Sequence, residues 1–525
     1  MIGIRFKALG IAATLMMSVS AYAQDIRIGT SSEPSSMDPH YHNLTPNNQV
    51  MRHIFEPLIF MNAKQEIVPG LAESWKLVDE TTWEFKLRAG VKFHDGSSFG
   101  ADDVLTTFER APAVPKSPSN FSSYIRGKTV EKVDDLTIRI KTAAPAPLML
   151  SHLAQFGMIS RKGKDFTTED YNSGKAANGT GPYKFAEYVA GDRVVMGRHE
   201  AYWGDKPAWA KVTFKSIKSD PTRVAALLSG DVDVIETVPT ADATRLKSDP
   251  KLTVASALSN RVIYFHLDRH RETSPFIKGK DGAEIKNPLN DKRVRTALSK
   301  ALNRTAIVER VMEGEAQPAS QFLPETYAGT STKLKPTAFD LNGAKALMAE
   351  AGYANGFKIT LHGPNGRYTN DAKILEAAGQ MWARLGLDVS VEAVPAANFF
   401  TRASTGGANG TPEFSLFLVG WSAGTGEPSD SAKALVMTFD AKAGTGGANR
   451  GRFSNPKVDE LLTNAAKTVD DAKRNTLTAE ATEIAMDEVA IIPIHFPLNT
   501  WAAKKDFVLT ARSDEYTLAM SFSKK

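Results

Sequence analysis

Apolar positions in this chain recur with two spacings that take turns: every second residue over short stretches, then every third or fourth over longer ones. The first spacing marks a half-buried strand and the second an amphipathic helix. Strands are predicted at residues 25–29, 136–141, 262–267, 388–393 and 414–419. Trp83, Phe85 and Leu87 alternate with polar residues, and the pattern resumes at Val91 and Phe93 after Arg88-Ala89-Gly90, which predicts a hairpin across Gly90. Val294, Leu298, Leu302, Ile307, Val308 and Val311 form a helical stripe with Asp291 before it and Gly314 after it, and Asn303 is placed to cap a restart. Ile374, Leu375, Ala378, Met381, Trp382 and Leu385 form another, stopped by Gly386. Strands interleaved with helices predict α/β lobes rather than a sandwich or a bundle. No repeat of fixed period is visible, and the glycine-rich segments 406–410 and 444–451 read as loose loops.

The first residues break this pattern. Arg5 and Lys7 precede an apolar run over 8–19, and Ala21-Tyr22-Ala23 follows as a small-x-small site, so a signal peptide cleaved after Ala23 is expected. No other stretch is as apolar, and a membrane-spanning mature chain is not expected. The sequence has no cysteine, which removes disulfides, thiolate metal sites, a Cys nucleophile and a lipidated-Cys anchor. An exported chain without an anchor is expected in the periplasm. At 525 residues more than one domain is expected. Arg5 and Lys7 account for two of the formal +5 charges, and no Lys/Arg run offers a footprint for nucleic acid.

Several longer blocks occur in order: LAESW at 71–75, TTWEFKLRAGVKFHDG at 81–96, ADDVLTTFER at 101–110, GTGPYKF at 179–185, HEAYWG at 199–204, LLSGDVDVIE at 227–236, NDKRVRTALSKALNR at 290–304, KALMAEAGY at 345–353 and Val419-Gly420-Trp421. Together they resemble the family 5 solute-binding proteins, the dipeptide-, oligopeptide- and nickel-binding components of ABC importers, over nearly all of the mature chain. The resemblance implies a two-lobed α/β periplasmic binding protein (type II, cluster C-like) with an additional small domain in the first lobe. The expected division is 24–60 with 178–275 and 490–525 as the first lobe, 61–177 as the small domain and 276–489 as the second lobe. It also implies a binding protein rather than an enzyme, a monomer without a cofactor, that captures a peptide-like solute and delivers it to permease subunits. The chain lacks a GxxxxGK[ST] phosphate loop, so ATP falls to a separate ATPase chain.

The same resemblance places ligand contacts at the loop holding His42, Asn43, Leu44 and Thr45, at Phe121, and at Arg367 in GPNGRYTN, where a guanidinium can hold a carboxylate in a two-pronged grip. Arg402 is a second candidate of that kind. The last group is Trp421, Ser422, Thr425 and Glu427, leaving the predicted strand 414–419. Peptide binders of the family carry an aspartate three residues after this Trp, where Gly424 stands here, and oligopeptide binders an arginine three before it, where Leu418 stands. Glu427 is then left to meet an ammonium group, and a glutathione-binding branch has a similar W-S-x-x-T-G-E segment. Glutathione-like peptides, short peptides and opine-type conjugates all present carboxylates and an amine, and fit these positions equally. Tyr264 and His266, on a strand expected to cross the hinge, read as cleft or core.

Two other chemistries have some sequence support. Gly420-Trp421-Ser422-Ala423-Gly424 satisfies G-x-S-x-G, with Asp430, Asp459 and His495 downstream in hydrolase order. Gly424, Gly426 and Pro428 argue against the helix such a serine needs directly after it. A chelated nickel ligand has the pairs His40 with His42 and His266 with His270 available, neither with a third ligand in evident reach.

Overall fold

The computed structural model describes residues 24–525, and the expected signal segment lies outside the described residues. A path of hydrogen-bonded strands runs from Ile277–Lys278 through Lys358–Asn365, Leu416–Ser422, Arg261–Leu267, Ile491–Lys504, Val234–Ile235, Asp25–Thr30, Lys211–Ser216 and Arg193–Arg198 to Tyr183–Val189. Its middle member explains how one sheet serves two lobes. Residues 491–495 of the 14-residue strand Ile491–Lys504 pair with Arg261–Leu267, whereas 498–504 pair with Leu252–Leu258. The chain changes partners opposite Ser259-Asn260, so two backbone segments cross there side by side.

Each half has its own core. Ile26, Ile28, Val212, Phe214 and Trp501 centre the first lobe. In the second lobe Ile263, Phe265 and Leu267 point into one core with Leu298, Leu361 and Trp382, while Val262 and Tyr264 point into another with Phe399, Phe417 and Ile491. A strand covered on both faces has no polar side, which is why residues 262–267 read as a nearly unbroken apolar run. Tyr264 and His266 are fully buried here and belong to packing, not to a cleft. The small domain is a separate four-stranded antiparallel sheet, whose core holds Phe85, Leu87, Phe93, Val104, Phe108, Ile138 and Ile140.

Packing moves several expectations. Ile159, Tyr171 and Ala176, expected in the small domain, pack in the first-lobe core. Arg261–Leu267, expected in the first lobe, is divided between the two cores of the second. Strand Thr82–Leu87 pairs with Ala72–Asp79 before it and Thr137–Thr142 after it, so the hairpin predicted across Gly90 does not form; there the chain makes only a bridge between Lys92 and Ser98. Segment 444–451 is anchored rather than loose: Asn449 is fully buried and donates to the carbonyls of Met437 and Phe453, while the Gly451 amide donates to His266.

Other local readings hold. Asp291 caps helix Lys292–Ala301, and the Asn303 side chain accepts from the Ala306 amide to restart the turn. Helix Asp371–Ala383 buries Trp382, whose indole donates to the Leu298 carbonyl at 2.9 Å. The GTGPYKF and HEAYWG blocks also find a joint purpose. Thr180, Tyr202 and Trp203 all donate to the fully buried Glu56 carboxyl, at 2.8, 2.6 and 2.8 Å.

Candidate functional site

The lobes touch on both sides of the crossing strands. Gln155 of the small domain donates to the Gly424 carbonyl at 3.1 Å, Asn370 donates to Thr240 at 2.8 Å, and Tyr327 donates to Ser513 at 3.0 Å. Lys247 pairs with Glu315 at 2.5 Å. Gly426 (φ +68°) approaches so closely that a β-carbon on it would meet Gln65 and Met61 at 3.3 and 3.4 Å. These contacts describe a closed clamp, and they delimit where a guest can sit.

Arg367 is held on a rigid turn beside this boundary. The Asp371 carboxylate accepts from the amides of Gly366, Arg367 and Tyr368 at 3.2, 2.8 and 3.0 Å, which fixes the backbone that carries the guanidinium. The side chain lies over the Tyr368 ring, 4.9 Å from its centre, and is half-buried. Among the described residues its guanidinium has no ion pair and no hydrogen bond. Burial, then the nearby Arg261 charge, pushes its pKa down from the usual arginine range. A fixed, partly desolvated cation without a counterion is chemically ready for a carboxylate. Arg261 itself is satisfied: it grips Glu515 with two bonds of 2.6 and 2.7 Å, both side chains largely buried. Burial alone would raise the Glu515 pKa, but Arg261 outweighs it and the carboxylate stays ionised.

Arg402 leaves the candidate set. Its guanidinium is bound to Glu413 at 2.6–3.1 Å and to Glu392 at 2.7 Å, and it lies over the Phe414 ring. It ties helix Ala396–Thr405 to strand Asp388–Pro395 through Glu392, and its charge is already met by two carboxylates.

Strand Leu416–Ser422 delivers the other group. A β-carbon at Gly420 would come within 2.9 Å of the Tyr368 ring, so the glycine lets Tyr368 close over the strand and donate to its carbonyl at 3.2 Å. Trp421 packs partly against the second-lobe core, with its indole donating to Ser431. Ser422 donates to Asn260 at 2.8 Å. Thr425 is buried and donates to Asp430 at 3.1 Å. Glu427 precedes helix Pro428–Leu435, half-buried, its carboxyl group with no hydrogen-bond or ion-pair partner among the described residues; burial raises its pKa. Asp430 sits in the first turn of that helix, its pKa also raised by burial. Two carboxyls with raised pKa therefore stand three residues apart on the segment that follows strand Leu416–Ser422.

The opposite wall comes from the first lobe and small domain. The Asn43 backbone amide donates to the Ser119 carbonyl at 2.7 Å, and His42 forms a β-bridge with the same residue. The Asn43 side chain reaches Tyr124 and Asn48, Asn48 reaches Tyr516, and Arg52 lies over the Tyr516 ring. Leu44 and Thr45 begin helix Thr45–Met51. Phe121 is buried in the small-domain core and lines a small cavity with Asn48, Arg52 and Gln155. Asp430, Tyr124, Asn260, Glu515 and Tyr516 were not singled out as contacts. They come from four distant segments, and only the first-turn position of Asp430 gave any local signal.

A profile described as bacterial extracellular solute-binding proteins, family 5 Middle, matches residues 66–442. The chain belongs to this family. Glutathione-binding protein GsiB of Pectobacterium atrosepticum is 30% identical to the family 5 chain over 478 residues, 90% of this chain and 89% of the relative. The ABC transporter-associated periplasmic binding protein DppA from Helicobacter pylori, in complex with peptide STSA, superposes with a TM-score of 0.81 at 23% identity, covering 95% and 98% of the two chains. NikZ from Campylobacter jejuni, in complex with Ni(L-His), superposes with a TM-score of 0.79 at 20% identity, covering 96% and 100%. At those identities the two structures establish the two-lobed fold. No helix among the described residues is long and apolar enough to cross a membrane.

The rival constellations do not assemble in the family 5 chain. The Ser422 hydroxyl is bound to Asn260, Asp459 accepts from Thr438, and His495 is buried with neither ring nitrogen hydrogen-bonded. Burial pushes the His495 pKa to about 3, so it is a poor base at neutral pH. His40 and His42 turn to different partners, the Gly157 carbonyl and Ser35. His266 and His270 do likewise, with Gly451 and Asp268. No group of three or more candidate ligands gathers among the described residues.

Proposed function

We propose that this chain is an exported solute receptor that closes on a peptide-like molecule bearing a free carboxylate and an ammonium group, and presents it to the membrane subunits of an ABC importer. The observation that carries the reading is Arg367, a guanidinium without a hydrogen bond or ion pair among the described residues on a rigid turn at the lobe boundary, with the carboxyls of Glu427 and of Asp430, the latter held by Thr425, on the segment after strand Leu416–Ser422. Arg367 and both carboxyls stand on the second lobe, so a solute held by them drives closure through the contacts it gains with the first-lobe and small-domain wall at Asn43, Tyr124 and Tyr516 when the lobes shut. The glutathione-binding and peptide-binding relatives agree with a solute of this kind. Cleavage after Ala23, a monomeric state, the absence of catalysis and a separate ATPase chain are parts of the same proposal.

Unfolding and refolding the protein to strip it, then heating it with glutathione, Ala-Glu or an opine, tests the reading. A ligand that binds only the folded state raises the melting temperature by mass action. Small-angle scattering should show the radius of gyration fall with the same ligand. A melting temperature unmoved by every member of the panel would overturn the proposal.

A further inference from the structure

Three nitrogen-bearing side chains converge from the small domain and the second lobe. Lys128 opens strand Lys128–Asp134 of the small domain, His152 lies in helix Met149–Leu153, and Lys433 comes from helix Pro428–Leu435 of the second lobe. The Lys128 ammonium is 3.2 Å from His152 Nδ1. An ammonium only donates, so Nδ1 accepts and the ring keeps its proton on Nε2, leaving a second donor. Burial, and then the Lys433 charge, lowers the Lys128 pKa to about 8; burial and the two lysines hold His152 neutral.

These cations lack counterions. Among the described residues neither Lys128 nor Lys433 is in an ion pair, whereas Lys132 and Lys141 of the same sheet pair with Asp102, Asp135 and Glu131. Asp430 is the carboxylate that faces the pair; it is bound by the Thr425 hydroxyl and lies outside ion-pair distance of both lysines. It offsets one charge of the two. Arg126 adds a further cation at the rim, 3.5 Å from where a β-carbon on Gly444 would stand. A partly desolvated ammonium without a partner is unfavourable unless a ligand supplies the anion.

The order along the cleft then reads as a complement. Arg367 and Arg261 with Glu515 occupy one end; Tyr516, Asn48, Asn43 and Tyr124 follow; Asp430 comes next, and Lys128 with Lys433 ends the row. We infer that Lys128, His152 and Lys433 form a second anion subsite spanning the lobes, so that the solute carries two separated acidic groups flanking its amine, as acidic dipeptides and γ-glutamyl peptides do. This rests on the peptide-like reading above and narrows it to dianionic members.

Calorimetry on the stripped full chain with matched pairs tests it: Glu-Ala against Gln-Ala, and glutathione against its analogue amidated at the glutamyl α-carboxyl. The expected result is at least a tenfold preference for the acid in one pair. Lys128→Gln should bring that ratio to within about twofold, and Lys433→Gln, at an exposed position that tolerates change, should lower it in part. Equal binding of acid and amide in each pair that binds, or a preference that survives both substitutions, overturns the subsite while leaving the solute-receptor reading standing. Binding of none of the four overturns this inference, and if Ala-Glu and the opine also fail to bind, that reading is overturned with it.

Discussion

Arg367 and Arg402 are both second-lobe arginines that the sequence marks as carboxylate captors, and the fold separates them completely. Arg402 stands on a helix at the sheet edge with Glu413 and Glu392 around its guanidinium. Arg367 stands on a turn fixed by Asp371 at the lobe boundary, where Asp371 and Glu515 are near but no carboxylate of the described residues reaches ion-pair distance of its guanidinium. Residue type marks which groups can bind a carboxylate. Pairing state decides which of them is left to do so.

The largest effect should come from a third arginine that bridges the two situations. Glu515→Gln strands Arg261 without its buried partner and should destabilise the protein by about 3–5 kcal/mol, read from denaturant midpoints. Arg367→Gln should leave stability nearly unchanged but weaken a carboxylate-bearing dipeptide by about 2–5 kcal/mol in calorimetry. A stability loss comparable to that of Glu515→Gln would mean Arg367 is structural after all.

Glu56 sharpens the contrast from the acidic side, as a carboxyl that is buried yet fully hydrogen-bonded. Burial raises its pKa from 4.5 to about 7 against the opposing donors Tyr202, Trp203 and Thr180. The folded state then holds a proton that the unfolded state has released, so this group's stabilisation is present below about pH 4.5 and lost as pH rises through about 7. The difference in stability between wild type and Glu56→Gln should therefore change with pH over that window, by up to about 3 kcal/mol. A pH-independent difference would show the carboxyl ionised throughout. The smallest effect belongs to Arg402→Gln: about 1 kcal/mol of stability and no more than a twofold change in dipeptide affinity. A tenfold loss of affinity there would erase the distinction between the two arginines.

What could be read in advance followed the range of the interactions. Asp291, Asn303 and Gly386 act on their own helix ends, and each did what its position announced. The hairpin across Gly90 failed because a turn signal is local, while strand Thr82–Leu87 gains more by pairing with segments on either side. Segment 444–451 looked loose by composition, since nothing local shows that the Asn449 side chain serves as the missing backbone partner. Family resemblance singled out Arg367 and residue type Arg402, and neither signal could show that Arg402 carries its own carboxylate partners. Tyr124, Asn260, Asp430, Glu515 and Tyr516 meet only after the lobes form, so no spacing along the chain could announce them. Lys128 and Lys433 share that property, being 305 residues apart in sequence and close in space.

The central claim is that a solute carboxylate supplies the anion that Arg367 lacks. The most direct measurement is a calorimetric cycle with Ala-Glu and its C-terminal amide on stripped wild type and Arg367→Gln. The account predicts that the amide binds wild type at least a hundredfold more weakly than the acid, and that this gap nearly vanishes in the variant. Equal affinity of acid and amide for wild type, or an undiminished gap in the variant, would contradict it.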